Sequence, residues 1–195
     1  MAKRIFDIIV SITGLIILSP LFLLIALAIV LESRGGVFYK QVRVGKDGKP
    51  FKLLKFRSMY VGADKKGLLT VSGRDPRVTR VGYFIRKFKL DELLQLVNVL
   101  KGDMSLVGPR PEVPKYVELY TDEQREVLSV RPGITDPASI KYRNESDLLA
   151  NADDPEKFYI EKIMPEKIKI SIDYIRRRNF FTDIKVILET FFKVF

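Results

Sequence analysis

The sequence predicts a helix-rich α+β protein built around an N-terminal membrane helix, and three observations carry that expectation. Residues Ile8 to Leu31 contain no charged side chain, a run long enough to enter or cross a bilayer. Two short strand-like segments, Val37 to Val44 and Phe51 to Ser58, flank Gly45-Lys46-Asp47-Gly48, whose Asp-Gly pair suits a β-hairpin turn. Beyond them, apolar residues recur at helical spacing towards the C-terminus.

The apolar run has Ser19-Pro20 near its midpoint. Proline removes a backbone donor and crowds the preceding turn, so a helix bends there. Each half is roughly 17 Å long at helical rise, about one leaflet of a ~30 Å hydrocarbon core. Lys3 and Arg4 precede the run, and Arg34, Lys40, Arg43, Lys46 and Lys49 follow it. Positive charge on both flanks places both ends on the cytoplasmic side. A re-entrant helix hairpin broken at Ser19-Pro20 satisfies length, break and charge together, while a proline-kinked single span satisfies the length alone; the residues leave both arrangements open. No cleavage site follows the run, which continues into Glu32-Ser33-Arg34.

Residues 61–75 read as a polar loop. From Pro76 to Lys89 a helical stripe of Val78, Val81, Phe84, Ile85 and Phe88 is surrounded by Arg77, Arg80, Arg86, Lys87 and Lys89. Leu90 to Leu100 reads as a second amphipathic helix, stopped by Gly102. Residues 115–129 look helical, Arg131-Pro132-Gly133 marks a turn, and residues 155–178 look helical with a break near Pro165. The tail from Asn179 to Phe195 carries Phe180, Phe181, Phe191, Phe192 and Phe195; such a helix docks on the core or lies at the membrane interface.

A chain of 195 residues is one compact domain plus its membrane segment, divided here at 1–35 and 36–195. Thirty-four Lys and Arg against 24 Asp and Glu give a formal charge of +10, which calls for an anionic partner: nucleic acid, anionic lipid or a phosphorylated substrate. The chain has no Cys and no His. That excludes a thiolate nucleophile, a zinc ribbon, a Ser-His-Asp triad and any imidazole metal site. Chemistry falls to Asp, Glu, Lys, Ser, Thr or Tyr, and the metal that suits those ligands is a hard cation such as Mg²⁺.

Asp91-Glu92 opens the predicted 90–100 helix. Carboxylates in a first turn are favoured by the helix dipole alone, but beside a basic stripe such a pair can also bind Mg²⁺ and attack phosphorus. In Gly108-Pro109-Arg110-Pro111 the prolines stiffen the loop, so Arg110 is presented with little entropy left to lose, and a guanidinium fork matches phosphate oxygens. Lys55 and Arg57 fall on one face of the second strand. Arg86, Arg131 and Arg143 are further single-arginine candidates for binding phosphate.

Together these segments resemble the bacterial sugar transferase family, the monotopic phosphoglycosyl transferases. The resemblance runs through Lys3-Arg4-Ile5-Phe6-Asp7, Ser19-Pro20, Lys55-Phe56-Arg57-Ser58-Met59, Arg86, Leu90-Asp91-Glu92-Leu93, Asn98 to Ser105, Gly108-Pro109-Arg110-Pro111 and Arg131-Pro132-Gly133-Ile134-Thr135. It implies a re-entrant helix in the bacterial inner membrane, a catalytic domain on its cytoplasmic face, and amphipathic helices at the interface. It also implies an Mg²⁺-dependent ping-pong reaction. Asp91 attacks a UDP-sugar, UMP leaves, and polyprenyl (undecaprenyl) phosphate collects the sugar phosphate as the first membrane step of glycoconjugate or polysaccharide assembly. Asp91 and Glu92 hold the metal, while Arg57, Arg86, Arg110 and Arg143, with Lys55 and Arg131 as further candidates, meet phosphate. The chain is expected to comprise the catalytic core alone and to bind no nucleic acid; self-association or contact with downstream glycosyltransferases stays open. Asp136 to Ile140 departs from the family's usual continuation, and the stretch from Glu145 to Pro155 reads as a subfamily feature shaping the sugar pocket. A glycosyltransferase releasing UDP, and a basic membrane-tethered binding module, are the competing readings.

Overall fold

The computed structural model describes residues 2–63, 67, 69–71 and 75–194. Helices dominate, with two small two-stranded sheets among the described residues. The first helix, α1 (Ala2–Glu32), runs through Ser19-Pro20 as one 31-residue helix rather than as two separate ones. The sequence supplies the reason. Pro20 has no N–H to offer the carbonyl four residues earlier, and the Ser19 hydroxyl donates to that carbonyl, Ile16 O, at 2.8 Å. In an apolar setting a freed carbonyl needs such a partner.

Both ends of α1 are fastened to the rest of the molecule. At the start, the Lys3 ammonium donates to Val107 O and to Asp183, and Arg4 donates to the carbonyls of Val99 and Leu100. Buried Asp7 accepts from the Ser105 hydroxyl and the Leu106 amide. At the finish, Glu32 accepts from the amides of Arg80 and Val81. Arg57 donates to Ile29 O, Ser33 O and Arg34 O, the last carbonyls of the helix and its exit. Between these anchors the two halves seat on different clusters: Phe6, Val10, Leu15 and Leu18 pack on a core of Leu53, Leu96, Val99 and Met104, and Ile25 and Ile29 pack with Phe56, Ile85 and Leu94. The opposite side is apolar and exposed, including Ile9, Ile16, Ile17, Leu23, Leu24 and Leu31. The helix is long and apolar enough to cross a membrane.

The predicted hairpin forms with slightly shifted ends. Strands β1 (Phe38–Val44) and β2 (Pro50–Phe56) pair antiparallel, Phe38 opposite Phe56 and Val44 opposite Pro50, around a 3₁₀ turn at Lys46–Gly48 in which Asp47 and Gly48 both take positive φ. Helix α2 (Arg80–Lys87) is shorter than the stretch from Pro76, because the Thr79 hydroxyl caps it by accepting from the Gly82 amide. Of the predicted 61–75 loop, residues 64–66, 68 and 72–74 lie outside the described residues; those described form no helix or strand of note beyond turns.

The expected continuous helix from Leu90 to Leu100 is divided. Lys89 adopts a left-handed conformation, which costs a non-glycine residue about 1 kcal/mol or more. A 3₁₀ turn, Leu90–Glu92, follows, and α3 spans Gln95–Lys101. Its periodicity is helical, so the stripe alone does not reveal the change of winding. Likewise 115–129 is not one helix but α4 (Pro114–Val117) and a 3₁₀ segment, Gln124–Ser129.

Strands β3 (Ser105–Val107) and β4 (Gly133–Thr135) form a parallel pair that sequence patterning misses, since three residues are too few to show a period. Helices α5 (Pro137–Lys141), α6 (Glu145–Ala150) and α7 (Pro155–Phe158) lead into a π-helical turn at Tyr159–Ile163 and then α8 (Met164–Arg177). The expected break near Pro165 is that π turn. The tail is α9 (Phe180–Val194), whose Phe180 ring meets Phe6 of α1 edge-on at 5.4 Å. Phe181, Phe191 and Phe192 stay exposed; Phe195 lies outside the described residues.

Candidate active site

A cavity of about 1180 Å³ lies between β1–β2, the 89–93 segment, the Pro109–Arg110 loop and α5–α6. It collects Lys55, Arg57, Arg86, Asp91, Glu92, Arg110 and Arg143. Arg131, the remaining predicted phosphate ligand, does not reach it: the exposed side chain donates Nε to Gly102 O at 2.8 Å, closing the C-terminal end of α3. Ser19 and Pro20 lie in α1, away from this cavity.

The 3₁₀ turn after Lys89 sets Asp91 and Glu92 in contrasting surroundings. Glu92 is heavily engaged. It accepts from Arg110 at both oxygens, Nη1–Oε2 3.0 Å and Nη2–Oε1 2.5 Å, and from Lys55 Nζ at 2.9 Å. Burial acts to raise this carboxyl, but the Arg110 and Lys55 charges outweigh it and hold Glu92 well below the ordinary carboxylate range. In return Glu92 raises the Arg110 guanidinium above its usual value despite burial. Burial lowers Lys55, opposed by Glu92.

Asp91 is buried, and its Oδ1 has no hydrogen-bond partner among the described residues. Burial first, then the charge of Glu92, pushes its carboxyl above the usual aspartate range; Lys55, Arg86 and Lys89 pull it back. A carboxylate left without hydrogen bonds in a basic cavity is costly to hold. Its lone pairs are unspent, and that is the state a nucleophile or a metal ligand requires.

The Arg110 loop is built from two close backbones. A Cβ at Gly133 would lie 2.1 Å from Gly108 N, and one at Gly108 would lie 2.5 Å from Arg131 O. Only glycine at both positions lets β3 and β4 run on into this contact, where Gly133 N donates to Pro109 O and Gly108 N to Thr135 O. The Arg131-Pro132-Gly133 motif therefore buttresses the Arg110 loop rather than binding in the cavity.

Three residues that the sequence reading did not single out hold the other side of that loop. Arg43 donates to Pro111 O and to Glu112 Oε1, and Val44 N donates to Glu112 O. Glu112 also accepts from the Val113 amide and from the Tyr159 hydroxyl. Tyr159 begins the π turn, a distortion that often marks functional sites. Asn98 is a fourth omission as a site residue. Fully buried, it accepts from Leu54 N and donates to Lys52 O, bonding to the edge of β2 as a neighbouring strand would and fixing the height of Lys55.

Arg57 lines the cavity, yet its Nη groups are spent on the α1 carbonyls described above. It ties α1 to the site. Arg86 donates to the Thr70 hydroxyl, and exposed Arg143 has no partner among the described residues, leaving its guanidinium open at the rim.

The family follows from comparison with known proteins. A family model described as bacterial sugar transferase matches residues 1–195. The chain belongs to that family. It is 41% identical over 197 residues to the UDP-glucose:undecaprenyl-phosphate glucose-1-phosphate transferase of Escherichia coli K12, covering 99% of this chain and 40% of that protein. The protein of the same name from Klebsiella pneumoniae is 43% identical, with the same coverage of 99% and 40%. The UDP-N-acetylgalactosamine-undecaprenyl-phosphate N-acetylgalactosaminephosphotransferase of Aeromonas hydrophila is 39% identical over 96% of this chain and 42% of its own length. The chain thus spans about two fifths of these relatives. They differ in the sugar that their names give, so family membership does not specify the donor.

Among the described residues no group of three or more Asp or Glu forms a ready-made metal cage. Mg²⁺ is commonly held by one or two carboxylates, with water and substrate phosphates completing the shell. The unpartnered Asp91 Oδ1 fits that role. Glu92 fits it through an oxygen shared with Arg110 or Lys55.

Proposed function

We propose that this protein transfers a sugar 1-phosphate from a UDP-sugar to undecaprenyl phosphate through a covalent phosphosugar on Asp91, releasing UMP. The observation that carries the reading is Asp91 itself: a buried carboxylate oxygen with no hydrogen bond, in a cavity lined with cations. Names of the relatives supply the donor and acceptor classes.

In the first half-reaction an Asp91 oxygen bonds to the β-phosphorus, the bridging P–O bond breaks, and UMP departs with that oxygen. In the second, an acceptor phosphate oxygen bonds to the same phosphorus and the Asp91 carboxylate leaves, giving a polyprenyl diphosphate sugar. Arg110 lines the same cavity as Asp91 with its fork fixed by Glu92, so it meets developing phosphate charge with little reorganisation. Arg86 and Arg143 add positive charge from α2 and the rim. Bound Mg²⁺, held by Asp91 and Glu92, would neutralise diphosphate charge as a Lewis acid. No step calls for an imidazole, in keeping with a chain that has none.

The membrane geometry belongs to the same proposal. Both ends of α1 bond to one globular body, Lys3, Arg4 and Asp7 at one end and Ile29, Glu32 and Ser33 at the other. That both ends are held by one body supports a re-entrant arrangement, in which α1 enters and leaves the membrane by one face, on the cytoplasmic side of the inner membrane. Exposed phenylalanines of α9 lie at the interface beside it, bringing the cavity to a lipid-borne acceptor. A cysteine introduced at position 2 should react only with reagent applied from the cytoplasmic side; labelling from outside only would sink the re-entrant arrangement.

UMP release from a panel of UDP-sugars, with undecaprenyl phosphate and Mg²⁺, tests the reaction. Wild type should release UMP and Asp91→Asn none, whereas release of UDP would assign the chain to sugar transfer without phosphate.

A further inference from the structure

We infer that Glu145, held by Lys167, reads the hydroxyl groups of the donor's sugar ring and sets which UDP-sugar is accepted. This rests on the reaction proposed above and extends it to substrate choice.

The cavity lining carries charges of both signs. Around Asp91 and Glu92 its wall is cationic, with Lys55, Arg86 and Arg110. From α6 and α8 the lining adds the paired Glu145 and Lys167. Glu145 lines the same cavity as Arg110 and Tyr159. A carboxylate neutralised by its own ammonium partner is suited to accept a hydrogen bond from a neutral hydroxyl of the substrate.

Glu145 is also fixed. Its Oε2 accepts from Lys167 Nζ at 2.6 Å. That ammonium is pinned in turn over the Tyr159 ring, 5.6 Å from the centroid. Both side chains are largely shielded, 16% exposed for Lys167 and 26% for Glu145. Oε1 has no partner among the described residues, so a residue that lines the cavity keeps one open acceptor for a hydroxyl-rich ring. Fixed acceptors of this kind discriminate strongly, because the wrong stereochemistry leaves a shielded charge without a hydrogen bond. The donor offers two kinds of hydroxyl, those of the sugar and those of the ribose. We assign the sugar, which its anomeric oxygen joins to the reacting phosphorus.

The test compares wild type with Glu145→Gln and Glu145→Ala. UMP release is measured from UDP-glucose, UDP-galactose, their N-acetylated counterparts and deoxy-sugar analogues, together with inhibition by UMP. For the preferred donor, kcat/KM should fall about 10-fold or more in the variants. Poor donors should change by less than about 3-fold, so the ranking flattens. A deoxy analogue lacking the recognised hydroxyl should be discriminated against by wild type and not by the variants, and UMP inhibition should stay constant. Equal losses across all donors with weakened UMP inhibition would assign Glu145 to the ribose and overturn the proposal, as would equal losses with UMP inhibition unchanged. Glu145→Gln keeps size and shape, so a normal melting temperature separates lost recognition from lost fold. Absence of UMP from every donor in wild type would defeat the underlying reaction instead, a result distinct from either.

Discussion

Replacing Glu112 by alanine tests whether the Arg110 loop is held as the structure indicates. Glu112 is 17% exposed and its partner Arg43 16% exposed, 3.1 Å apart. Removing the carboxylate leaves Arg43 with Gln41 and the Pro111 carbonyl but without the carboxylate it pairs with, and strips acceptors from Tyr159 and the Val113 amide. Breaking a buried ion pair from one side costs about 3–5 kcal/mol. For a chain of this size each kcal/mol moves the melting temperature by about 2–4 °C, so Glu112→Ala should melt roughly 6–20 °C lower. Well below that temperature the loosened loop should still cost kcat, by about 10- to 100-fold, since misplacing a phosphate clamp by an ångström is expensive. Thermal unfolding by circular dichroism in lipid nanodiscs, paired with UMP release at 20 °C, reads both. Adding Arg43→Met should restore part of the stability without restoring kcat, because the stranded charge is gone but the loop is still untethered. A Glu112→Ala protein with unchanged melting and unchanged kcat would refute the reasoning.

Other perturbations follow from the same geometry. Burial raises the Asp91 carboxyl, so its ionised form opposes folding at neutral pH and the folded state gains as pH falls through that raised range. Asp91→Asn should therefore melt higher than wild type at pH 7, the gap narrowing towards acid, while turnover is abolished; calorimetry at the two pH values checks it. Attack requires the ionised carboxylate, so kcat/KM should decline on the acid side above the ordinary aspartate value of about 3.9. Lys55→Met removes a charge that lowers Asp91, and should move that limb to higher pH. Arg131→Ala should leave KM for the donor within about 2-fold, because its bond to Gly102 O is exposed and outside the cavity. Ser19→Ala should lower the melting temperature in nanodiscs by a few degrees, having left the Ile16 carbonyl without its donor.

Much of the architecture is legible in the sequence because it rests on local signals. The charge-free run gives α1, Asp47-Gly48 gives the hairpin turn, and the tail's aromatic stripe gives α9. The segments where the sequence misleads are those shaped by distant contacts. Leu90 to Leu100 keeps helical spacing, but the left-handed Lys89 and the pairing of Glu92 with Arg110 and Lys55 wind its start as a 3₁₀ turn. The β3–β4 pair is invisible to any period, although two glycines, 108 and 133, mark the close approach that it needs.

The site divides along the same line. Asp91, Glu92 and Arg110 stand out through their neighbours in sequence, a paired carboxylate and a proline-stiffened arginine, and the fold brings them together. Arginines judged singly fare less evenly. Arg86 and Arg143 reach the cavity, Arg57 is taken up by the carbonyls that end α1, and Arg131 closes α3. A lone guanidinium serves a carbonyl as readily as a phosphate, and only the fold tells the two apart. Arg43, Glu112 and Tyr159 lie far apart in sequence and carry no motif, so their joint hold on the Arg110 loop emerges only in three dimensions.

The most direct test of the central claim is the mass of the protein itself after incubation with its UDP-sugar and Mg²⁺ in the absence of acceptor. The account predicts a gain of one sugar phosphate, mapped by peptide analysis to Asp91, with one equivalent of UMP released and the adduct discharged on adding undecaprenyl phosphate. An unmodified protein that turns over normally once acceptor is present would contradict it.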